Sequence, residues 1–199
     1  MAVNACMSAG PVAKLSVEEY LALDRVAEVK SEYHDGEMFR LVAVTWAHAL
    51  IGLHVAVLLD RQLAKTGRQV VPSGLRVRVS PTKFVVPDLL VVCGKPELTD
   101  AHNDTITNPK VIVEILSPST ADYDYGGKFN LYRRLPSFEE YVLISQDRAR
   151  VETFRKTPAN EWVLHTYDGL DATVRIECLG VSVELREAYE GIELTAGNE

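Results

Sequence analysis

The chain has 199 residues, 47% of them apolar and 25% charged, which are the proportions of an ordinary folded domain and exclude wholesale disorder. That length suits one sizeable domain, 1–199, and no apolar run approaches the roughly 18 residues of a membrane-crossing helix. A formal net charge of −7 sets a long-range repulsion against nucleic acid, so any hold on a polyanion has to be local and salt-sensitive.

Residues 1–16 carry no basic cluster ahead of an apolar segment, so no secretory leader is expected and the cytoplasm is the expected compartment. Cys6, Cys93 and Cys178 are odd in number and far apart, which argues against a disulfide framework or a zinc site. Cys93, at the end of an apolar run, reads as a small core residue. Charge is unevenly spread. Arg61, Lys65, Arg68, Arg76, Arg78 and Lys83 form a stretch without one acid, whereas residues 151–199 hold ten acids against four bases. The basic stretch is either a polyanion-binding strip or an ordinary solvated face.

In chain order, Ser16 and Glu19 make a capping box that opens a short helix to about Asp24. His34-Asp35-Gly36-Glu37 reads as a turn into a strand over 38–44. Leu50, Ile51, His54, Val55, Leu58 and Leu59 recur at helical spacing and predict a helix over 47–65, closed by Gly67. Residues 75–79 alternate apolar and basic, which predicts a strand with Arg76 and Arg78 together on its open face. A strand over 84–92 is interrupted by Pro87, and 110–116 is apolar enough to be central. A helix over 126–135, a strand over 141–145, a hairpin of 151–156 with 162–167, and a last strand and short helix complete the chain.

Two acids are out of place in this pattern. Asp88 follows Pro87 in an apolar strand, and Glu114 lies between Val113 and Ile115 in another. A carboxylate buried in a sheet is costly unless it is paired, neutral or bound to a cation. Two of them on neighbouring strands can converge on one hard divalent cation such as Mg²⁺. Taken alone, the acids equally admit separate arginine or backbone partners.

Pro87-Asp88, then Glu114-Ile115-Leu116-Ser117-Pro118-Ser119-Thr120, then Asp124, Lys128 and Tyr132 resemble the pattern of the Uma-two family. That bacterial family is assigned to the PD-(D/E)XK, restriction-endonuclease-like superfamily. Glu32-Tyr33-His34-Asp35-Gly36-Glu37 resembles its N-terminal signature, Glu140-Tyr141-Val142-Leu143-Ile144 also fits, and His48 falls where the family often has a histidine. The resemblance implies an α/β (α+β) fold: a restriction endonuclease-like mixed β-sheet core flanked by helices, about 47–145, with an added C-terminal β-hairpin. It implies Mg²⁺, or Mn²⁺ in its place, held by Asp88, Glu114 and the carbonyl of Ile115. It further implies phosphodiester hydrolysis in DNA, with RNA left open. The superfamily's usual Glu-x-Lys would put lysine at 116, where this chain has leucine. The resemblance instead implies a migrated lysine, Lys128, reaching back from the following helix. Between two carboxylates its ammonium form is favoured, so an electrostatic role is expected rather than that of a base. Glu32 is expected as an outer or additional metal ligand. His48 is either a phosphate contact at a helix start or a residue packed near the core, and duplex symmetry implies a homodimer.

Other features carry less. Ser117 lacks a nucleophile elbow and reads as a turn residue. Gly126-Gly127 lacks the lysine and hydroxyl of a phosphate-binding loop, and the five histidines have no metal-binding spacing. Tyr123, Tyr125 and Tyr132 are either base-stacking or packing residues. Two readings other than a nuclease stay open: a nuclease-fold binding or regulatory protein without turnover, and a structural ion-pair network.

Overall fold

A computed structural model describes residues 14–72 and 74–194. Cys6 and most of the segment read as lacking a leader lie outside them. Ser16 Oγ accepts from Glu19 N–H at 3.1 Å and Glu19 returns a bond to Ser16 N–H at 2.7 Å, opening α1 (Val17–Val26). β1 (Ser31–His34) and β2 (Glu37–Arg40) form a hairpin whose turn residues Asp35 and Gly36 take positive φ. The expected strand over 38–44 therefore ends at Arg40, and its partner β1 had not been foreseen. Thr45 caps α2 (Trp46–Leu63). β3 (Arg68–Pro72), β4 (Arg76–Ser80), β5 (Lys83–Val85), β6 (Leu89–Cys93), β7 (Thr105–Ile106) and β8 (Val111–Leu116) follow.

The expected strand over 84–92 is two strands. Pro87 has no N–H to give a ladder, so Val86-Pro87-Asp88 is a break between β5 and β6, and Asp88 sits at that break instead of within a strand. The expected helix over 126–135 instead starts and ends three residues earlier and opens as a wider coil. A π-helical turn (Tyr123–Lys128) runs into α3 (Phe129–Tyr132). β9 (Glu140–Ser145), the hairpin β10 (Arg150–Lys156) with β11 (Trp162–Asp168), a second hairpin β12 (Thr173–Ile176) with β13 (Val181–Glu184), and α4 (Leu185–Ala188) close the chain.

The described residues form three sheets. A mixed six-stranded sheet has the order β11-β10-β9-β8-β6-β3, in which β8 and β9 alone are parallel. That parallel pair requires a crossover, and the π turn with α3 supplies it. The second sheet runs β2-β1-β5-β4-β7, and β12-β13 is the third. Period-two alternation divides β8 between two cores. Val111, Val113 and Ile115 pack with Ile51, Val55, Leu59 and Leu63 of α2, while Ile112 and Leu116 pack with Leu131, Tyr132 and Phe138. Glu114 belongs to the second face by the same alternation. Among the described residues no helix is long and apolar enough to cross a membrane.

The expected basic face is not formed as read. Arg76 is 1% exposed, and its guanidinium is paired with the fully buried Asp24 of α1 and with Asp104. α1 and the loop before β7 cover that side of β4, so alternation put the arginines on one face without deciding whether that face met water. Arg78 is half-buried, 5.9 Å from the centre of the Phe84 ring. Cys93 is a half-buried free thiol packed against the core, and Cys178 is also free.

Candidate active site

The site is built where the β6–β8 ladder stops. The last pair is Leu89 with Val113. Beyond it, side chains take over the backbone groups: Ile115 N–H donates to Asp88 Oδ2 at 2.7 Å, and Asp88 N–H donates to Glu114 Oε2 at 3.3 Å. The proline break thus links the two acids to each other's strands. His48, in the first turn of α2, has Nε2 at 3.1 Å from Asp88 Oδ1, which gives this histidine a polar partner in the site.

The π turn brings up the opposite wall. Asp124 lies 3.3 Å from Lys128 across the turn. The Tyr123 ring lies over Gly127, where a Cβ would stand 2.4 Å from the ring carbon Cδ2, so glycine is required there. Lys128 Nζ is 3.1 Å from Glu114 Oε2 and 3.6 Å from Glu32 Oε1. Tyr132 Oη donates to Glu114 Oε1 at 2.8 Å. Glu32, on β1, accepts from Val86 N–H at 3.2 Å and from Tyr123 Oη at 2.8 Å, and His34 Nε2 stands 3.5 Å from its Oε2. Asp88, Glu114, Lys128 and Glu32 therefore meet in one place, although Glu32 comes from outside the 47–145 core.

Burial pushes the Glu114 carboxyl well above the usual range; the Asp88 and Asp124 charges add to this, and Lys128 opposes it. Asp124 is raised for the same first reason, burial. Burial opposes the Lys128 ammonium, but Glu114, Glu32, Asp124 and Asp88 together outweigh it and hold its pKa well above the ordinary lysine value. Burial likewise works against Glu32, yet its bonds from His34, Tyr123 and Val86 and the Lys128 charge leave its carboxyl lowered. The four acids around Lys128 thus favour its cation against the burial that opposes it.

Two adjoining cavities, of about 380 and 490 Å³, open onto these groups and share Leu41, Val42, Thr120, Asp124 and Lys128. Among the described residues no group of three His, Cys, Asp or Glu side chains is arranged to hold a metal ion. The donors still fit Mg²⁺ chemically, because that ion takes few carboxylates and keeps several waters. Glu114 on β8 and Asp88 at the break before β6 offer hard oxygens side by side. The Ile115 carbonyl leaves β8 by the same edge as its N–H, toward Asp88. Tyr132 is fully buried and bonded to Glu114, which removes it from the base-stacking candidates; Tyr125 bonds Glu152. Spacing could have suggested the Asp124–Lys128 pair, which is one helical turn apart. Nothing in the sequence marked the His48–Asp88 or Tyr123–Glu32 contacts. Ser117 Oγ bonds Ser119 and Thr120, as a turn residue does.

Mixed sheets around buried Glu114 and Lys128 and half-buried Asp88 make a nuclease-like α+β fold. Residues 17–188 match the model of the Uma2 family, described as "Putative restriction endonuclease", and the chain belongs to that family. Two relatives come from Synechocystis sp. (strain ATCC 27184 / PCC 6803 / Kazusa). "Uncharacterized protein slr1290" is 30% identical over 92% of this chain and 95% of its own, and "Uncharacterized protein sll1609" is 29% identical over 84% and 95%. The fold matches, with a TM-score of 0.72 at 17% identity, a crystal structure from Anabaena variabilis ATCC 29413 described as "a putative nuclease belonging to DUF820". That match covers 88% of this chain and 97% of the other.

Proposed function

We propose that the protein is a metal-dependent endonuclease that hydrolyses phosphodiester bonds in DNA, in the cytoplasm, with two subunits needed to cut both strands. The observation that carries this reading is the group formed by Asp88, Glu114 and Lys128, with Asp88 N–H and Lys128 Nζ on the same Glu114 oxygen. Asp88, Glu114 and the Ile115 carbonyl would hold Mg²⁺ or Mn²⁺. When bound, the ion supplies charge neutralisation at the phosphate and a water of lowered pKa. Ile115 N–H and His48 orient Asp88, and Tyr132 orients Glu114. Lys128 stays an ammonium among its carboxylates, so it serves to offset charge on the phosphoryl oxygens instead of abstracting a proton. Glu32 acts one layer out, fixing Lys128 and Tyr123.

A second reading, a nuclease-fold protein that binds or regulates without turnover, is favoured by one observation. Arg76 is spent on a buried ion pair, so the basic strip is weaker than its sequence suggests. Cleavage of supercoiled and single-stranded DNA and of RNA with Mg²⁺ or Mn²⁺ separates the two. Metal-dependent nicking that is lost in Glu114→Ala and Lys128→Ala supports the enzyme. Activity surviving in both variants overturns the assignment of the site, and metal binding without cleavage of any substrate favours the second reading.

A further inference from the structure

α2 is apolar on two faces. Ile51, Val55, Leu59 and Leu63 are buried against the six-stranded sheet. One flank is held by the C-terminal unit: His54 Nδ1 lies 3.2 Å from the Ala188 carbonyl, and Gln62 Nε2 donates to the Ser182 carbonyl at 2.7 Å. On the outward side, Trp46, Ala49, Leu53 and Val57 follow one another at spacings of three and four residues, a single row along the helix. Trp46 is 78% exposed, Leu53 57% and Val57 38%, with Val42 and Val44 exposed beside the start of the row. A surface helix ordinarily carries charge on this side. Here none appears in the row until Asp60. These side chains expose on the order of 500 Å² of apolar surface, comparable with the largest patch of a typical monomer.

We propose that this face is covered by α2 of a second copy of the chain, the two helices antiparallel about a two-fold axis at Leu53. Three features point to a copy of the same surface. Reversal about residue 53 sets Trp46 opposite Asp60 and Ala49 opposite Val57, so a small side chain meets a larger one. Next to Asp60, a groove of about 320 Å³ between α2 and β3 is lined by Ala56, Val57, Asp60, Arg61, Val70 and Pro72. The Trp46 ring of the other copy falls at that groove, and the symmetry makes the contact twice. The first turn of α2 has no acidic residue of its own, and the other copy's Asp60 arrives beside that positive end of the dipole. An aromatic anchor seated in a groove is the kind of residue that carries a stable interface, whose standard size is roughly 800 Å² per partner. The inference does not depend on the nuclease reading.

The test is a concentration series by sedimentation on the full chain, with Trp46→Ala, Leu53→Lys and, as a control on α1, Leu23→Lys. Leu23 is also half-exposed, at 49%. The wild type and the control sediment as dimers, Leu53→Lys as a monomer with unchanged circular dichroism, and Trp46→Ala raises the dimer dissociation constant at least about tenfold. Leu53→Cys, with its thiol on the axis, gives a disulfide-linked dimer on oxidation beyond any wild-type background. A wild type that is monomeric at tens of micromolar overturns the proposal, as does a dimer indifferent to Leu53→Lys. A monomer destabilised by Leu53→Lys overturns it too.

Discussion

Replacing Lys128 by methionine keeps the length and apolar stem of the side chain and removes only the ammonium. The charge it leaves behind is concentrated: Glu114, Asp124 and Glu32 lie 3.1, 3.3 and 3.6 Å from Nζ, and all three are buried. Removing one partner of a buried ion pair costs about 3–5 kcal/mol. Three carboxylates share this cation, but they can relieve the loss by taking up protons, so the same range holds at neutral pH. For a chain of this length that is a fall in Tm of roughly 6–20 °C. The pH dependence follows from the sign of the charge effect. Lys128 lowers all three carboxyls, so without it their folded-state pKa values rise. The folded variant then binds more protons than its unfolded chain and gains stability as pH falls. The deficit against wild type is therefore full at pH 8 and shrinks toward pH 5, and Mg²⁺ at pH 8 reduces it by supplying the missing positive charge. Urea unfolding followed by circular dichroism measures each quantity. A loss under about 1 kcal/mol at pH 8, or a deficit independent of pH, would refute the charge argument.

Tyr132→Phe removes only the donor to Glu114 Oε1 inside an otherwise unchanged core, and a loss of about 1.5–3 kcal/mol in chemical denaturation is expected. Gly127→Ala drives a Cβ into the Tyr123 ring, so it should cost about 1–3 kcal/mol and disorder the Tyr123–Glu32 contact, visible in a crystal structure of the variant. Arg76→Leu leaves Asp24 buried without its guanidinium and should cost about 3–5 kcal/mol, while the salt dependence of the proposed DNA binding stays that of the wild type. Asp104 is held well below the usual carboxylate range, first by the Arg25 hydrogen bond and then, against burial, by Arg76. Its stabilising contribution is present above about pH 4 and lost as pH falls further, so Asp104→Asn should flatten the acid side of the stability curve.

Much of the scaffold was legible because it is written in local pattern. The Ser16–Glu19 box, the helical recurrence of Ile51, Val55 and Leu59, the apolar run of β8 and the β10–β11 hairpin all reappear close to where spacing put them. β1 and β7 were missed because they are short, β3 because its exposure follows no clean alternation, and one strand of the β12–β13 hairpin was missed as well. The π turn was missed because one extra residue in a turn leaves no mark in apolar periodicity, and only the ring over Gly127 betrays it. The break at Pro87 was half-legible: proline announced an irregularity, but not that the freed ladder groups would bond the two acids.

The amino-acid order alone identified Asp88 and Glu114 as acids too costly to bury without a counterpart, and it carried the family pattern that includes Lys128. It could not decide which donor each acid would meet. Those partners are distant in sequence: His48 and Asp88 are separated by 40 residues, and Tyr123 and Glu32 by 91. It also could not distinguish Arg76, buried on Asp24, from Arg78 two residues on. Periodicity assigns a side chain to a face of its own element, and only the packing of other elements against that face sets its solvation, and with it the worth of every charge.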